Sequence, residues 1–171
     1  MLSAQAPKRQ IDSLKVLIRL KDSTNLVFVN DLIEKHGWPK PSEVGFQGIQ
    51  ALFLIVQHAN LRVQKRYYPL ILEAEKNGNM LSNNVAILED RIAIREGRPQ
   101  TYGSQGHYDM ERKKTIIYPL KDPENLDALR ATRGLPKMTD YKKDWNLQDY
   151  KSYLLQANEL LKKEAAFWLA K

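Results

Sequence analysis

Cysteine is absent from the 171 residues. That excludes disulfides, thiolate nucleophiles and cysteine-ligated zinc. Histidine is scarce: His36, His58 and His107 are the whole supply, and no two stand four residues apart. A transition-metal site is therefore not expected, and the sequence leaves any cofactor unknown. Long apolar runs are missing too. None is longer than Ala51 to Val56, far short of the ~20 residues a membrane helix needs, so no membrane span is read. Also missing are a Walker loop, GxGxxG, GxSxG and HExxH, which removes the nucleotide-binding, esterase and zincin signatures.

What is present is basic. Lys and Arg number 27 against 20 Asp and Glu, a net charge of +7. Such a balance permits anionic partners. The basic residues, however, are interleaved with acids, and the densest cluster, Arg112-Lys113-Lys114, has the look of a hairpin tip. The charge reads as a solvated surface more readily than as a nucleic-acid footprint. The length suits one domain over residues 1–171. Ala4-Gln5-Ala6 has the small-x-small form of a signal-peptidase site, yet no apolar core precedes it. Residues 1–9 are read as a leader remnant or a disordered start, with cytoplasmic and exported locations both open. Oligomeric state is not fixed by the sequence.

Periodicity predicts a mainly α, compact helical domain with one small β-hairpin. A first helix is expected over about 10–21, and a second from a Ser23 or Thr24 cap to Gly37. The third, about Val44 to His58, is apolar all round, which predicts a central buried helix. A fourth runs Leu61 to Asn77, with Pro69 inside it. A fifth runs from a Ser82 cap to about Glu96, closed by Gly97. Gln100 to Leu120 has a short extended pattern, with Asp109 to Lys114 at a hairpin tip. Asp122-Pro123 opens a short helix ending at Gly134. The last helix covers about Leu147 to Ala170, with Tyr150, Leu154, Ala157, Leu161 and Trp168 as its buried stripe.

Arg91 is the most informative residue. On a helix turning about 100° per residue, it falls inside the apolar arc of Val85, Ile87, Leu88, Ile92 and Ile94, with Glu89 and Glu96 outside it. An inward arginine is costly unless paired. Asp90 is adjacent, and adjacent residues do not face each other on a helix. Two readings follow: a buried ion pair joining helices, or a clamp on an anion or carbonyl. Gln57 and His58 end the apolar helix, and His58 is either a satisfied core residue or an acid–base group. The stretch 97–109, GRPQTYGSQGHYD, brings Gln100, Tyr102, Gln105 and His107 between glycines that permit close approach. If extended, Gln100 and Tyr102 point to one side and line a pocket with Gln105. Alternatively, both glutamines satisfy hairpin backbone groups.

HGWPKPSEVG, ALFLIVQHAN, AILEDRIAIREGRPQTYGSQ and PLKDPENLDALRATRGL occur in that order. Together they resemble an uncharacterised bacterial family known as a domain of unknown function. The resemblance covers about Asp22 to Asn146. It implies shared polar positions at Trp38, Gln57, His58, Gln64, Asp90, Arg91, Gln100, Tyr102, Gln105 and Arg133. One departure is Asn60, where the family carries an acid. If that acid were a general base or metal ligand, Asn60 would not replace it.

Three functional classes are consistent with these residues. The first is a hydrolase or group transferase on a small polar or anionic substrate. In it His58 is the acid or base, Arg91 holds the anion, Asp90 fixes one of them, and Trp38, Gln57, Gln64, Gln100, Tyr102, Gln105 and Arg133 orient the ligand. The second is a binding module using the same pocket for a small ligand or a partner protein. The third is a nucleic-acid binder, for which only Arg66-Tyr67-Tyr68 and Tyr141-Lys142-Lys143 offer basic–aromatic clusters.

Overall fold

The computed structural model describes residues 8–170. Among these the chain is mainly α, with eight helices and one antiparallel hairpin. It divides into two compact units, Met1–Ala59 and Asn60–Lys171.

The first unit holds helix α1 (Lys8–His36) packed along α2 (Pro41–His58). The two helices expected over 10–36 are one. Thr24 caps nothing; its Oγ1 donates to the Leu20 carbonyl at 3.0 Å, the back-bonding a mid-helix threonine adopts when no glycine or proline interrupts the chain. In α2, Gly45 sits at φ 71 and breaks helical geometry after the first turn. The expectation of a fully buried helix here fails. Ile49, Phe53 and Val56 are buried, but Phe46 and Leu54 are about half exposed, at 50% and 49%. Within a two-helix unit, each helix covers only one face of the other.

The second unit is centred on α4 (Ser82–Arg95), which packs against both α3 (Leu61–Lys76) and α8 (Leu154–Leu169). Asn60 caps α3, its Oδ1 accepting from the Val63 N–H at 3.0 Å. Ser82 is the first residue of α4 and not its cap, which is Leu81. After α4, residues 98–105 form a bent loop leading into β1 (Gly106–Asp109) and β2 (Lys114–Ile117). These pair from Gly106 with Ile117 to Asp109 with Lys114. Gly106 is required there: a Cβ would lie 2.7 Å from Thr115 Cγ2 and 2.9 Å from the Ile116 carbonyl.

The short helix expected at Pro123 starts three residues later, as α5 (Leu126–Ala131), because Asp122 closes a turn onto the Asn125 N–H at 3.2 Å. A one-turn α6 (Met138–Tyr141) was not expected. The last helix is two, α7 (Leu147–Ser152) and α8, broken at Tyr153. Ile117, Leu120, Leu126, Met138 and Tyr150 form one buried cluster beneath the hairpin. The Tyr150 hydroxyl accepts from the Leu120 N–H at 2.8 Å. The expected stripe on the last helix holds at Tyr150, Ala157 and Leu161, whereas Leu154 is 36% exposed. No described helix is long and apolar enough to cross a membrane.

Candidate functional site

The site begins with Asp90, which is fully buried. Its Oδ1 accepts from the backbone N–H of Thr101 at 2.7 Å and of Tyr102 at 3.0 Å. Its Oδ2 accepts from the Ser104 N–H at 3.0 Å and the Ser104 hydroxyl at 2.9 Å. The loop thus wraps a carboxylate in a nest of N–H groups. Gly103, at φ 68, supplies the left-handed conformation that lets it do so. Burial pushes the Asp90 carboxyl above its ordinary range, and the hydrogen bonds from Ser104, Tyr102 and Thr101 oppose that.

From Asp90 a chain of hydrogen bonds runs to Arg91. Gln105 Nε2 donates to Ser104 Oγ at 3.0 Å, and Arg91 Nε donates to Gln105 Oε1 at 3.2 Å. Every donor points the same way: Arg91 to Gln105, Gln105 to Ser104, Ser104 to Asp90. Such aligned bonds polarise one another, with a cation at one end and an anion at the other. Two neighbours in sequence, facing apart on α4, are joined through the loop. Gln105 has no second orientation, since a flipped amide would set N–H against the arginine.

Gln100 holds the loop from the other side. It is fully buried. Its Nε2 donates to the carbonyls of Gln105 and Tyr118 at 2.9 and 3.0 Å, and its Oε1 accepts from the Gln105 N–H at 2.8 Å. The expectation that Gln100 and Tyr102 project together from one strand fails, because the chain bends between them. Gln100 is the backbone staple, and Gln105 is the residue that reaches Arg91.

Arg91 opens onto a cavity of about 260 Å³. One wall is α4, with Arg91, Ile94 and Arg95; the hairpin contributes Gln105 to Tyr108 and Tyr118, and α8 contributes Glu164. Arg95 is buried and stacks over the Trp168 ring at 3.6 Å. Burial and the neighbouring charge of Arg91 push its pKa down to about 10, against the pull of Glu164. Burial lowers Arg91 too. Glu164 is held by the Trp168 indole N–H at 2.8 Å and the Tyr118 hydroxyl at 3.4 Å. Burial and Glu164 push the Tyr118 hydroxyl far above its ordinary range.

The remaining expected site residues lie elsewhere. Arg133 is in a second polar cluster: its Nη1 meets Glu75 at 2.8 Å, its Nη2 meets Glu89 at 3.8 Å, and its guanidinium lies 5.7 Å from the Tyr102 ring. Glu89 is therefore half-buried and not turned to solvent, because α4 is covered on more than one side. Gln64 is buried on α3. Trp38, Gln57 and His58 belong to the first unit, where His58 is exposed and lines a small recess with Asp22, Ser23, Leu26, Ile55 and Ala59. Asn60 is a helix cap, a task aspartate performs equally well.

Two charged cavity residues escaped the sequence reading: Arg95 and Glu164. Arg95 had a signal, standing one helical turn after Arg91 and so on the same face. Glu164 lies three residues past Leu161 on the buried stripe of α8. His107 was noted as a donor but not placed. A family model described as a family of unknown function, DUF6624, matches residues 12–153. That span contains the Asp90–Ser104–Gln105–Arg91 chain, Arg95 and His107, while Glu164 and Trp168 fall outside it. No curated protein and no solved structure matches the chain.

Proposed function

Since the chain belongs to the DUF6624 family, whose name carries no activity, we propose from the geometry that the cavity beside the hairpin binds a small anionic ligand through Arg91 and Arg95. One arrangement supports this: two arginines a helical turn apart, Arg95 buried and Arg91 partly so, share one cavity with a single carboxylate, Glu164, in its lining. The planar forks of guanidinium groups suit carboxylate or phosphoryl oxygens. Stacking on Trp168 at 3.6 Å fixes the plane of the Arg95 guanidinium, the plane in which its fork meets an oxyanion. At about 260 Å³ the space is below the ~300 Å³ lower end for drug-sized ligands, so the ligand has few heavy atoms.

The test is titration of the protein with acetate, phosphate and sulfate, followed by calorimetry and by chemical-shift changes at the arginine side chains. Arg91→Lys and Arg95→Lys keep the charge and lose the fork, and each is expected to weaken binding at least tenfold with little change in melting temperature. Equal binding by wild type and both variants would refute the assignment.

Hydrolysis or group transfer is the second reading. The observation favouring it is the imidazole of His107 on the hairpin side of the cavity, within the same enclosure as the anion site, where it serves as acid or base. His58, at the end of α2, is the other candidate. His107→Ala and His58→Ala variants that keep anion binding but differ in turnover would identify which acts.

A further inference from the structure

We infer that the Ser104 hydroxyl is a positioning group for the cavity: it sets the orientation of the Gln105 amide and, through it, the plane of the Arg91 guanidinium. Its effect on affinity rests on the anion-binding reading above; the orientation itself is read separately.

The path of the loop does not depend on this hydroxyl. Without it, Asp90 still accepts from the backbone N–H groups of Thr101, Tyr102 and Ser104. Gln100 brackets Gln105, accepting from its N–H and donating to its carbonyl. From the far side, Arg130 Nη1 donates to the Tyr102 carbonyl at 2.6 Å, and the Tyr141 hydroxyl donates to the Ser104 carbonyl at 3.1 Å. The backbone that carries the Gln105 side chain is therefore pinned. The direction of its amide is not, because the oxygen and nitrogen ends of a carboxamide have nearly the same shape and differ in what they donate. Ser104 decides between them. Its proton goes to Asp90 Oδ2 at 2.9 Å, which leaves its oxygen only to accept. Gln105 Nε2 must then face Ser104, at 3.0 Å, and Oε1 must face Arg91 Nε, at 3.2 Å. A guanidinium is planar, so holding its Nε–H direction fixes the plane in which Arg91 stands at the cavity wall. Alanine at 104 keeps the pinned backbone and releases the amide, and Arg91 loses the group that aims it.

Proton–nitrogen NMR of the arginine side chains reads the orientation, and calorimetric titration with phosphate reads its consequence. The Arg91 Nε–H signal, identified by its loss in Arg91→Lys, is expected to exchange slowly with water in wild type and rapidly in Ser104→Ala. Ser104→Thr keeps a hydroxyl and should restore slow exchange. Phosphate affinity should fall about fivefold in Ser104→Ala, the worth of one hydrogen bond. It should fall no further in the double variant of Ser104→Ala and Gln105→Ala than in Gln105→Ala alone, since residues acting through one chain of contacts do not add. An unchanged Nε–H signal in Ser104→Ala, or losses that multiply in the double variant, overturns the inference while the anion-binding reading stands. A Ser104→Ala protein that fails to fold overturns it too, because the hydroxyl would then be holding the loop itself. If phosphate does not bind wild type, the anion-binding reading falls, and the Nε–H signal alone decides the role of Ser104.

Discussion

Replacing Asp90 by asparagine tests the centre of the site, because the change is nearly isosteric and removes one acceptor oxygen. The amide nitrogen can take either place. At Oδ1 it would face the N–H groups of Thr101 and Tyr102, now 2.7 and 3.0 Å away. At Oδ2 it would face the Ser104 N–H at 3.0 Å and the hydroxyl at 2.9 Å. The second choice costs less, since a hydroxyl can turn round and accept. One buried N–H is then left unpaired, at about 1–3 kcal/mol, and the surviving bonds lose their charge assistance. The sum is about 2–4 kcal/mol, a large part of a typical domain's total stability. Urea denaturation followed by circular dichroism, with fixed slope, measures it. At ~2–4 °C per kcal/mol for a chain this size, the melting point should fall by roughly 4–16 °C. A variant within about 0.5 kcal/mol of wild type would show that the carboxylate is not what shapes the loop.

Two further outcomes follow from the same geometry. Asn60→Asp should leave stability within about 0.5 kcal/mol in thermal denaturation, because both residues rank alike as N-caps; a drop above 1 kcal/mol would mean the amide nitrogen matters. Burial pushes the hydroxyls of Tyr68 and Tyr153 up to about 12 from an ordinary 10.0. The folded state thus holds these protons more tightly than the unfolded chain, so stability is full below pH 10 and is lost as pH rises toward 12. Tyrosinate absorbance should show a late phase coinciding with loss of helical signal; free titration of all tyrosines near pH 10 in the folded protein would contradict this.

Much of the fold was legible in local pattern. Four of the helix ends fall at Gly37, Gly78, Gly97 and Gly134, all at positive φ, where glycine is the cheap residue. The hairpin showed in Ile116 and Ile117. The inward tendency of Arg91 showed in its place on the apolar arc; its partner on the loop, Gln105, did not. Illegible were the single long α1, the break at Tyr153 and the exposure of Phe46 and Leu54. Each depends on what packs alongside, which periodicity does not encode.

The sequence by itself determined the class of the protein: helical, cysteine-free, basic, with a glycine-punctuated polar loop after α4. Those are properties of residue type and spacing, set by backbone preference and hydrophobic period. Only tertiary structure decided the roles. It gave Gln100 to the backbone and Gln105 to Arg91, and made Asp90 the anchor of the loop. It also brought Glu164, 73 positions beyond Arg91 in the chain, into the same cavity. A side chain's partner is chosen by three-dimensional closure of the loop and docking of α8, and neither is written in the residues' immediate neighbours.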